Sequence, residues 1–463
     1  MSINQLFQLS RRSFQTIDAA MNVAGQNVAN AETEGYHRRR VTLNPVDFVG
    51  GGIWSRALRP GVHGYGVEIG AYERVRDSLV ARAGREARSG LGYAEEKHRV
   101  LSALEALFPT GTGSLQDQLN DFWNAWSDLA DNPLGTAERL ALRSRAEALT
   151  GTLNRLDQDI ASLQRETETA LSGGVDEVND LLRQIAGLNK AIVQARNQGT
   201  PDFAAEDMRD RLVDELATFG PIRINESAQG SYTITLHGMA LVQDEHVLPL
   251  KLDLSGGTPA LTFGDTGVAY PSGGSPDGRL GAWLGTLTGD LPAARAALDE
   301  LAATLVTEVN ALHSTGYGLG GTTGLNFFDP AGITAATIRL SADVLADANV
   351  IAASGDPAAA GDNTVALALA DLRNAKLFNG GQDTAEAFVI GLVSGIGGDV
   401  SRQAAQAESQ SQVLDYLDGL ARGVSGVSID EEMTRMIELQ QAYAATARVL
   451  DTAQRMMDTL LAL

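Results

Sequence analysis

The first thirty residues place Ile3, Phe7, Phe14, Ile17, Met21, Ala24 and Val28 in one alternating three-four register, with Ser10 the only hydroxyl in the series. That spacing predicts a helix packed along a helical partner. The same spacing returns at the other end of the chain, through Met436, Gln440, Tyr443, Ala447, Leu450, Gln454, Met457 and Leu461. Spacing alone also allows both stripes to pack into one globular core. Their position at the chain ends, where unanchored segments fray, favours pairing with each other.

Between the ends the pattern changes several times. Tyr36 to Asn44 reads as an extended arm. Gly50-Gly51-Gly52 and Arg59-Pro60-Gly61 then mark a turn-rich connector, and Gly64 to Ile69 a short strand. From Ser114 helical faces dominate, first through Leu115, Leu119, Phe122, Trp123, Trp126 and Leu129 up to the stop at Asn132-Pro133. A second helix is predicted around Leu149 to Leu163, a third around Val178 to Ile192, and a shorter fourth through Met208, Leu212 and Leu216. These read as a bundle of long antiparallel helices.

Alternation of period two replaces the helical period at Pro221, with Ile222 and Ile224, then Tyr232 to Leu236, then Val247 to Leu254. Residues 221–278 therefore read as a β-rich insertion. Asp290-Leu-Pro292, a cap followed by an early proline, predicts a new helix through Leu298, Leu301, Leu305, Val309 and Leu312. Residues 317–376 are rich in Gly, Ala and Asp, with Thr337 to Leu340 as a strand candidate. Helical signals resume at Thr384, interrupted by glycines at 391, 395, 397 and 398. Ser428 to Glu431 forms a capping box that starts the last helix.

The predicted fold class is mainly α with inserted β, comprising paired terminal coiled-coil helices, a long helical bundle and a small β-rich insertion domain. The expected division is 1–48 with 425–463 as the terminal domain, and 49–220 with 279–316 and 377–424 as the bundle. Residues 221–278 form the β insertion and 317–376 an irregular inserted segment.

The 463 residues carry a formal charge of -22, which argues against binding nucleic acid or anionic lipid. Cysteine is absent, removing disulfides, thiolate metal sites and catalytic thiols. Met1 to Asn30 lacks the marks of a cleavable secretory signal, and no stretch approaches the roughly 20 apolar residues of a membrane span, so any export would use another route and membrane insertion is not expected.

No chemistry emerges from the polar residues. The six histidines show no zinc spacing, and Gly316, Gly318 and Gly321 match a phosphate-loop pattern only after a helix, where a strand is needed. No P-loop or nucleophile elbow is present, so no catalytic, cofactor or metal residue is assigned.

The run Asn27-Val-Ala-Asn30-Ala-Glu-Thr33-Glu-Gly35-Tyr36-His37-Arg38-Arg39 resembles the signature shared by flagellar rod, hook and hook-associated proteins. The tail, Gly426 to Met433 with Gln440 to Tyr443 and Ala447-Arg-Val, is similar to the C-terminal signature of that family. Asp128 to Pro133, Leu280-Gly281 with Asp290-Leu-Pro292, and Val309 to His313 with Gly316-Tyr317 resemble the hook-associated protein 1 family more than hook or rod proteins.

The resemblance implies a non-enzymatic structural subunit, exported through the flagellar type III apparatus with a chaperone. Self-association would place it at the hook–filament junction, beside hook protein and hook-associated protein 3. The residues expected to carry assembly are Ile3, Phe7, Phe14, Ile17, Met21, Asn27, Asn30, Thr33, Gly35, Tyr36, Arg38, Glu431, Met433, Ile437, Gln440, Tyr443, Ala447, Leu450, Met457 and Leu461. Alternatives are another flagellar axial protein, namely hook protein or hook-associated protein 3, or a secreted adhesin or enzyme using residues 221–376.

Overall fold

A computed structural model describes residues 3–46, 66–271 and 277–461. The expected connector at 50–61 and the start of the strand at Gly64 lie outside the described residues. Helix α1 (Ile3–Ala29) leads through a turn into β1 (Arg39–Pro45), which pairs antiparallel with β2 (Val67–Arg74) from Arg39 opposite Arg74 to Pro45 opposite Val67. The hairpin lies on α1, and Val41 is buried.

Helix α2 (Ser78–Ala106) is capped by Asp77, whose carboxylate accepts from Leu79 N–H at 2.8 Å and Val80 N–H at 3.2 Å. Ser114 caps α3 (Leu115–Asp131) through Asp117 N–H at 3.1 Å, and Asn132 closes it by donating to Asp128 O.

The second and third helices expected from the sequence are one continuous 62-residue helix, α4 (Thr136–Asn197). Gly173 and Gly174 lie within it, and the second glycine is an approach site. A Cβ at Gly174 would lie 2.4 Å from Trp283 Cζ3, so only glycine lets the indole close on the helix axis.

Helix α5 (Phe203–Phe219) follows, then a four-stranded antiparallel meander of β3 (Ile222–Glu226), β4 (Tyr232–Leu236), β5 (Met239–Gln243) and β6 (His246–Val247). The period-two pattern is realised with Tyr232, Ile234 and Leu236 buried. A second hairpin pairs β7 (Leu250–Asp253) with β8 (Ala260–Phe263).

Helix α6 (Gly278–Gly285) passes through a π-helical turn at Thr286–Asp290 into α7 (Leu291–His313). The expected fresh start at Asp290 is therefore a local widening within a longer helical run. Asp290 has helical dihedrals and makes no side-chain cap; its carboxylate lies 3.1 Å from Lys97 Nζ.

The segment after α7 contains the short helices α8 (Ala342–Ala346) and α9 (Thr364–Asp371). The strand expected at Thr337 to Leu340 is absent. Turn bonds from Thr337 and Ile338 N–H to Thr334 O occupy its backbone, leaving one bridge between Phe328 and Leu340. Phe327, Phe328, Ile338, Val344 and Ile351 nevertheless enter the same hydrophobic core as Phe122, Trp126, Leu153 and Leu298.

The motif at 309–313 explains this docking. Asn310 exchanges two hydrogen bonds with the backbone of Phe328, at 3.0 and 2.9 Å. His313 Nδ1–H donates to Leu325 O at 2.7 Å, and Nε2 accepts from Ala352 N–H at 3.0 Å. A Cβ at Gly316 would lie 2.8 Å from Ala352 Cβ and one at Gly318 2.7 Å from Asn349 O, so two of the glycines that mimic a phosphate loop serve close packing, while Gly321 takes a positive φ of +74° in a turn.

Helix α10 (Ala385–Ser425) runs 41 residues through its glycines and packs along α2, and α11 (Ile429–Leu461) completes the described chain. Helices α1 and α11 pack antiparallel, the end of the first lying beside the start of the second. Among the described residues no helix is long and apolar enough to cross a membrane, and no cluster of three or more His, Asp or Glu is placed to hold a metal ion.

Candidate functional site

The site grows from Asn27, buried in the last turns of α1. Its Nδ2 donates to Arg39 O at 2.9 Å, and its Oδ1 accepts from Arg39 N–H at 3.0 Å. A side-chain amide thereby replaces a strand partner for the first residue of β1. The Tyr36 hydroxyl donates to the same Oδ1 at 2.9 Å. Burial raises the Tyr36 pKa, with Asp207 and Glu432 acting in the same direction and Arg39 opposing.

The turn that returns the chain to Asn27 uses the other signature residues. Asn30 N–H and Nδ2 both bond Gln26 O, and Thr33 Oγ1 lies 3.4 Å from Asn30 Oδ1. Gly35 has φ +76°, the left-handed conformation that redirects the backbone into the arm.

Arg38 reaches the other end of the chain. Its Nε donates to Glu432 Oε1 at 2.7 Å and its Nη1 to Glu431 Oε2 at 2.9 Å, while its backbone N–H bonds Ser425 O at 2.9 Å. The capping box is half realised as a result. Ser428 Oγ accepts from Glu431 N–H at 3.4 Å, but the Glu431 carboxylate turns to Arg38.

On α11 Glu432 and Ala453 are buried and Met436, Leu439, Thr446 and Leu450 half-buried at heptad spacing, and Tyr443, itself exposed, fills the remaining heptad position. The Phe14 and Tyr443 rings meet at 4.7 Å between centroids. The expected stripe shares Met436, Tyr443 and Leu450 with this seam, but Gln440, Ala447 and Gln454 are exposed one position away from Leu439, Thr446 and Ala453.

Ile3, Phe7, Phe14, Ile17 and Met21 are half-buried on α1. Met433, Ile437, Met457 and Leu461 are exposed, Leu461 at 82%. The large apolar side chains Val449, Met456 and Leu460 are exposed with them.

Sequence reasoning missed a buried charge cluster beneath the arm. Arg74, on β2 beside Arg39, places Nη1 2.8 Å from both Asp207 Oδ1 and Asp210 Oδ2 on α5. His37 Nδ1 is 2.9 Å from Asp207 Oδ1, and Arg39 Nη2 is 3.5 Å from Asp207 Oδ2. Asp210 also accepts from the Tyr232 hydroxyl at 2.9 Å, and Arg76 bonds that hydroxyl in turn.

Burial works against the charged form of Arg74, yet Asp210 and Asp207 outweigh it and raise its pKa. Burial likewise pushes Asp210 up, and Arg74, Arg76 and Arg85 overturn that and hold it below the usual carboxylate range. Arg74 and Asp210 are thus both held in their charged forms. Individual exposed-looking Asp and Arg codes carry no sign of this cluster, because α5 and β2 meet only in the tertiary fold.

Two family models match the chain. The flagellar hook-associated protein FlgK helical domain matches residues 101–328, and the flagellar basal body rod FlgEFG protein C-terminal model matches 424–463. The flagellar hook-associated protein 1 of Bacillus subtilis (strain 168) is 28% identical, over 98% of this chain and 97% of its own. That of Escherichia coli (strain K12) is 24% identical, over 99% of this chain and 100% of its own. Among solved structures, the flagellar hook junction protein FlgK from Burkholderia pseudomallei shares the fold, with a TM-score of 0.66 at 15% identity over 75% of this chain and 100% of that one.

Proposed function

We propose, for a chain that belongs to the flagellar hook-associated protein 1 family, a structural role at the hook–filament junction, where it assembles on the hook tip and joins the hook to the filament. The observation that carries this reading is the antiparallel pairing of the two chain ends, clasped by Arg38 with Glu431 and Glu432, while Met433, Ile437, Val449, Met456 and Leu460 remain exposed on α11. A helix pair that fills its own seam and still presents large apolar side chains is suited to burial against neighbouring subunits.

The partners that fit are further copies of this chain, hook protein on one side and hook-associated protein 3 on the other. An export chaperone and the type III apparatus deliver the subunit. The role needs no turnover. Each large apolar side chain buried on docking contributes roughly 1.5–3 kcal/mol, so a row of them on the terminal pair supplies an appreciable driving force.

Electron microscopy of cells lacking the protein tests the reading. Complete hooks, absent filaments and flagellin released to the medium are expected. Normal filaments on the deletion strain would overturn the proposal, and missing hooks would reassign the chain to the hook itself.

A further inference from the structure

The terminal module, made of α1, α11 and the β1–β2 hairpin, joins the bundle at few places. The hairpin lies on α1, and the two helices lie on each other. The backbone passes into the bundle at Val75 to Asp77 and returns at Ser425 to Ser428, where the N–H groups of Val75 and Arg38 bond Arg38 O and Ser425 O in sequence. The remaining attachment described between the hairpin and α5 runs mainly through charged side chains.

We infer that Asp207 and Asp210 of α5, gripping Arg74 and Arg39 of the hairpin and His37 just before it, form an ionic latch that fixes the angle of the terminal module relative to the helical bundle. Asp207 is the centre of the grip, since two hairpin side chains, Arg39 and Arg74, and His37 before the hairpin converge on its two oxygens. Asp210 ties the same arginine to the β insertion through Tyr232.

Buried charge networks of this kind contribute little net stability compared with apolar packing, because desolvation offsets attraction, but they tolerate very few geometries. Arg74 must sit 2.8 Å from two carboxylates on successive turns of α5 at once, which one orientation of the hairpin satisfies. Arg39 adds a second restraint, stacking on Tyr36 at 4.8 Å and on Phe203, from the first turn of α5, at 5.5 Å. The inference rests on this geometry and stands apart from the place of the protein in the flagellum.

Because the chain lacks cysteine, Glu68→Cys on the hairpin and Glu215→Cys on α5 give two unique spin-label sites in the full-length protein. Pulsed electron resonance should give a single narrow distance peak in the otherwise unaltered chain. Adding Arg74→Gln with Asp207→Asn, which removes one charge of each sign, should replace it with a broad distribution while far-ultraviolet circular dichroism still reports the bundle helices. A variant that keeps both the helicity and the narrow peak overturns the latch, as does a broad distribution before the change. If the double variant loses its helices, Arg74→Lys decides the matter. It retains the charge without the planar fork, so loss of the peak supports the latch and retention overturns it.

Discussion

The Tyr36 hydroxyl donates to Asn27 Oδ1 at 2.9 Å, on the same oxygen that accepts Arg39 N–H at 3.0 Å. Two residues of the N-terminal signature therefore close one ring, in which the end of α1, the turn through Gly35 and the first residue of β1 are mutually fixed. A signature of this kind specifies a fold for the arm, and the apolar stripe of α1 is left to pair with α11.

Replacing Asn27 by Ala orphans the backbone groups of Arg39 and the hydroxyl of Tyr36. An unsatisfied polar group costs about 1 kcal/mol at the low end, fitting for these three half-buried groups, so the hairpin should lose roughly 3 kcal/mol of local stability. Tyr36→Phe removes one of the three bonds and should cost about 1 kcal/mol. Amide exchange at Val75, whose N–H bonds Arg38 O across the hairpin, measures both. Protection there that survives Asn27→Ala would show that the strand pairing alone holds the arm.

The terminal pairing, the helical bundle and the β meander were legible because each rests on local periodicity. Tyr232, Ile234 and Leu236 alternate, and Phe14 and Tyr443 sit at three-four spacing. What was not legible depended on contacts distant in sequence. Leu149 to Leu163 and Val178 to Ile192 read as separate helices although α4 carries both, its Gly174 packed under Trp283, and Asp290 reads as a cap until α6 is found to run on into α7. In the candidate site the seam on α11 was displaced at alternate positions, because the charged Glu432 and polar Thr446 occupy seam positions that hydrophobicity does not flag. Glu432 is buried there because Arg38 arrives from the other chain end.

His313 predicts an acid-sensitive dock for residues 325–352. Burial pushes its pKa from 6.5 down to about 4, the backbone bond to Leu325 only partly opposing. Between those values the unfolded chain binds a proton that the folded chain refuses, so the stabilisation is complete above about 6.5 and declines as the pH falls towards 4. The loss is on the order of 3 kcal/mol. Urea unfolding at pH 7 and pH 4.5 measures it. A His313→Gln variant, less stable throughout, should show a smaller decline by about that amount. Identical declines in the two proteins would exclude His313 as the source.

Adjacent glycines in α4 should respond to alanine with opposite signs. At Gly173 a Cβ meets nothing within 4 Å, so Gly173→Ala should stabilise by up to about 1 kcal/mol through helix propensity. At Gly174 it meets Trp283 at 2.4 Å, and Trp283 is also held by its Nε1 bond to Glu96 at 2.6 Å. Gly174→Ala should therefore destabilise by about 1–3 kcal/mol. Thermal melts of the two variants compare them, and a stabilised Gly174→Ala would mean that the indole moves aside freely.

The seam of α11 and its exposed flank should separate folding from assembly. Leu450 lies in the seam against α1, whereas Ala447, one helical turn earlier, is exposed. Leu450→Glu places a charge between the paired helices and should unpair the ends, detectable as faster proteolysis of both termini. Ala447→Glu adds a charge at the exposed flank of the seam, where the carboxylate can reach water in the free subunit, so the pairing should survive with unchanged proteolysis. If neighbouring subunits cover that flank, however, motility and filament attachment should still fail, because an unpaired carboxylate cannot be buried there without a cost of several kcal/mol. A motile Ala447→Glu strain would remove this flank from the assembly surface. The exposed row of Met433 and Ile437, on the other side of Ala447 from Leu450, would then have to be tested by the same substitution.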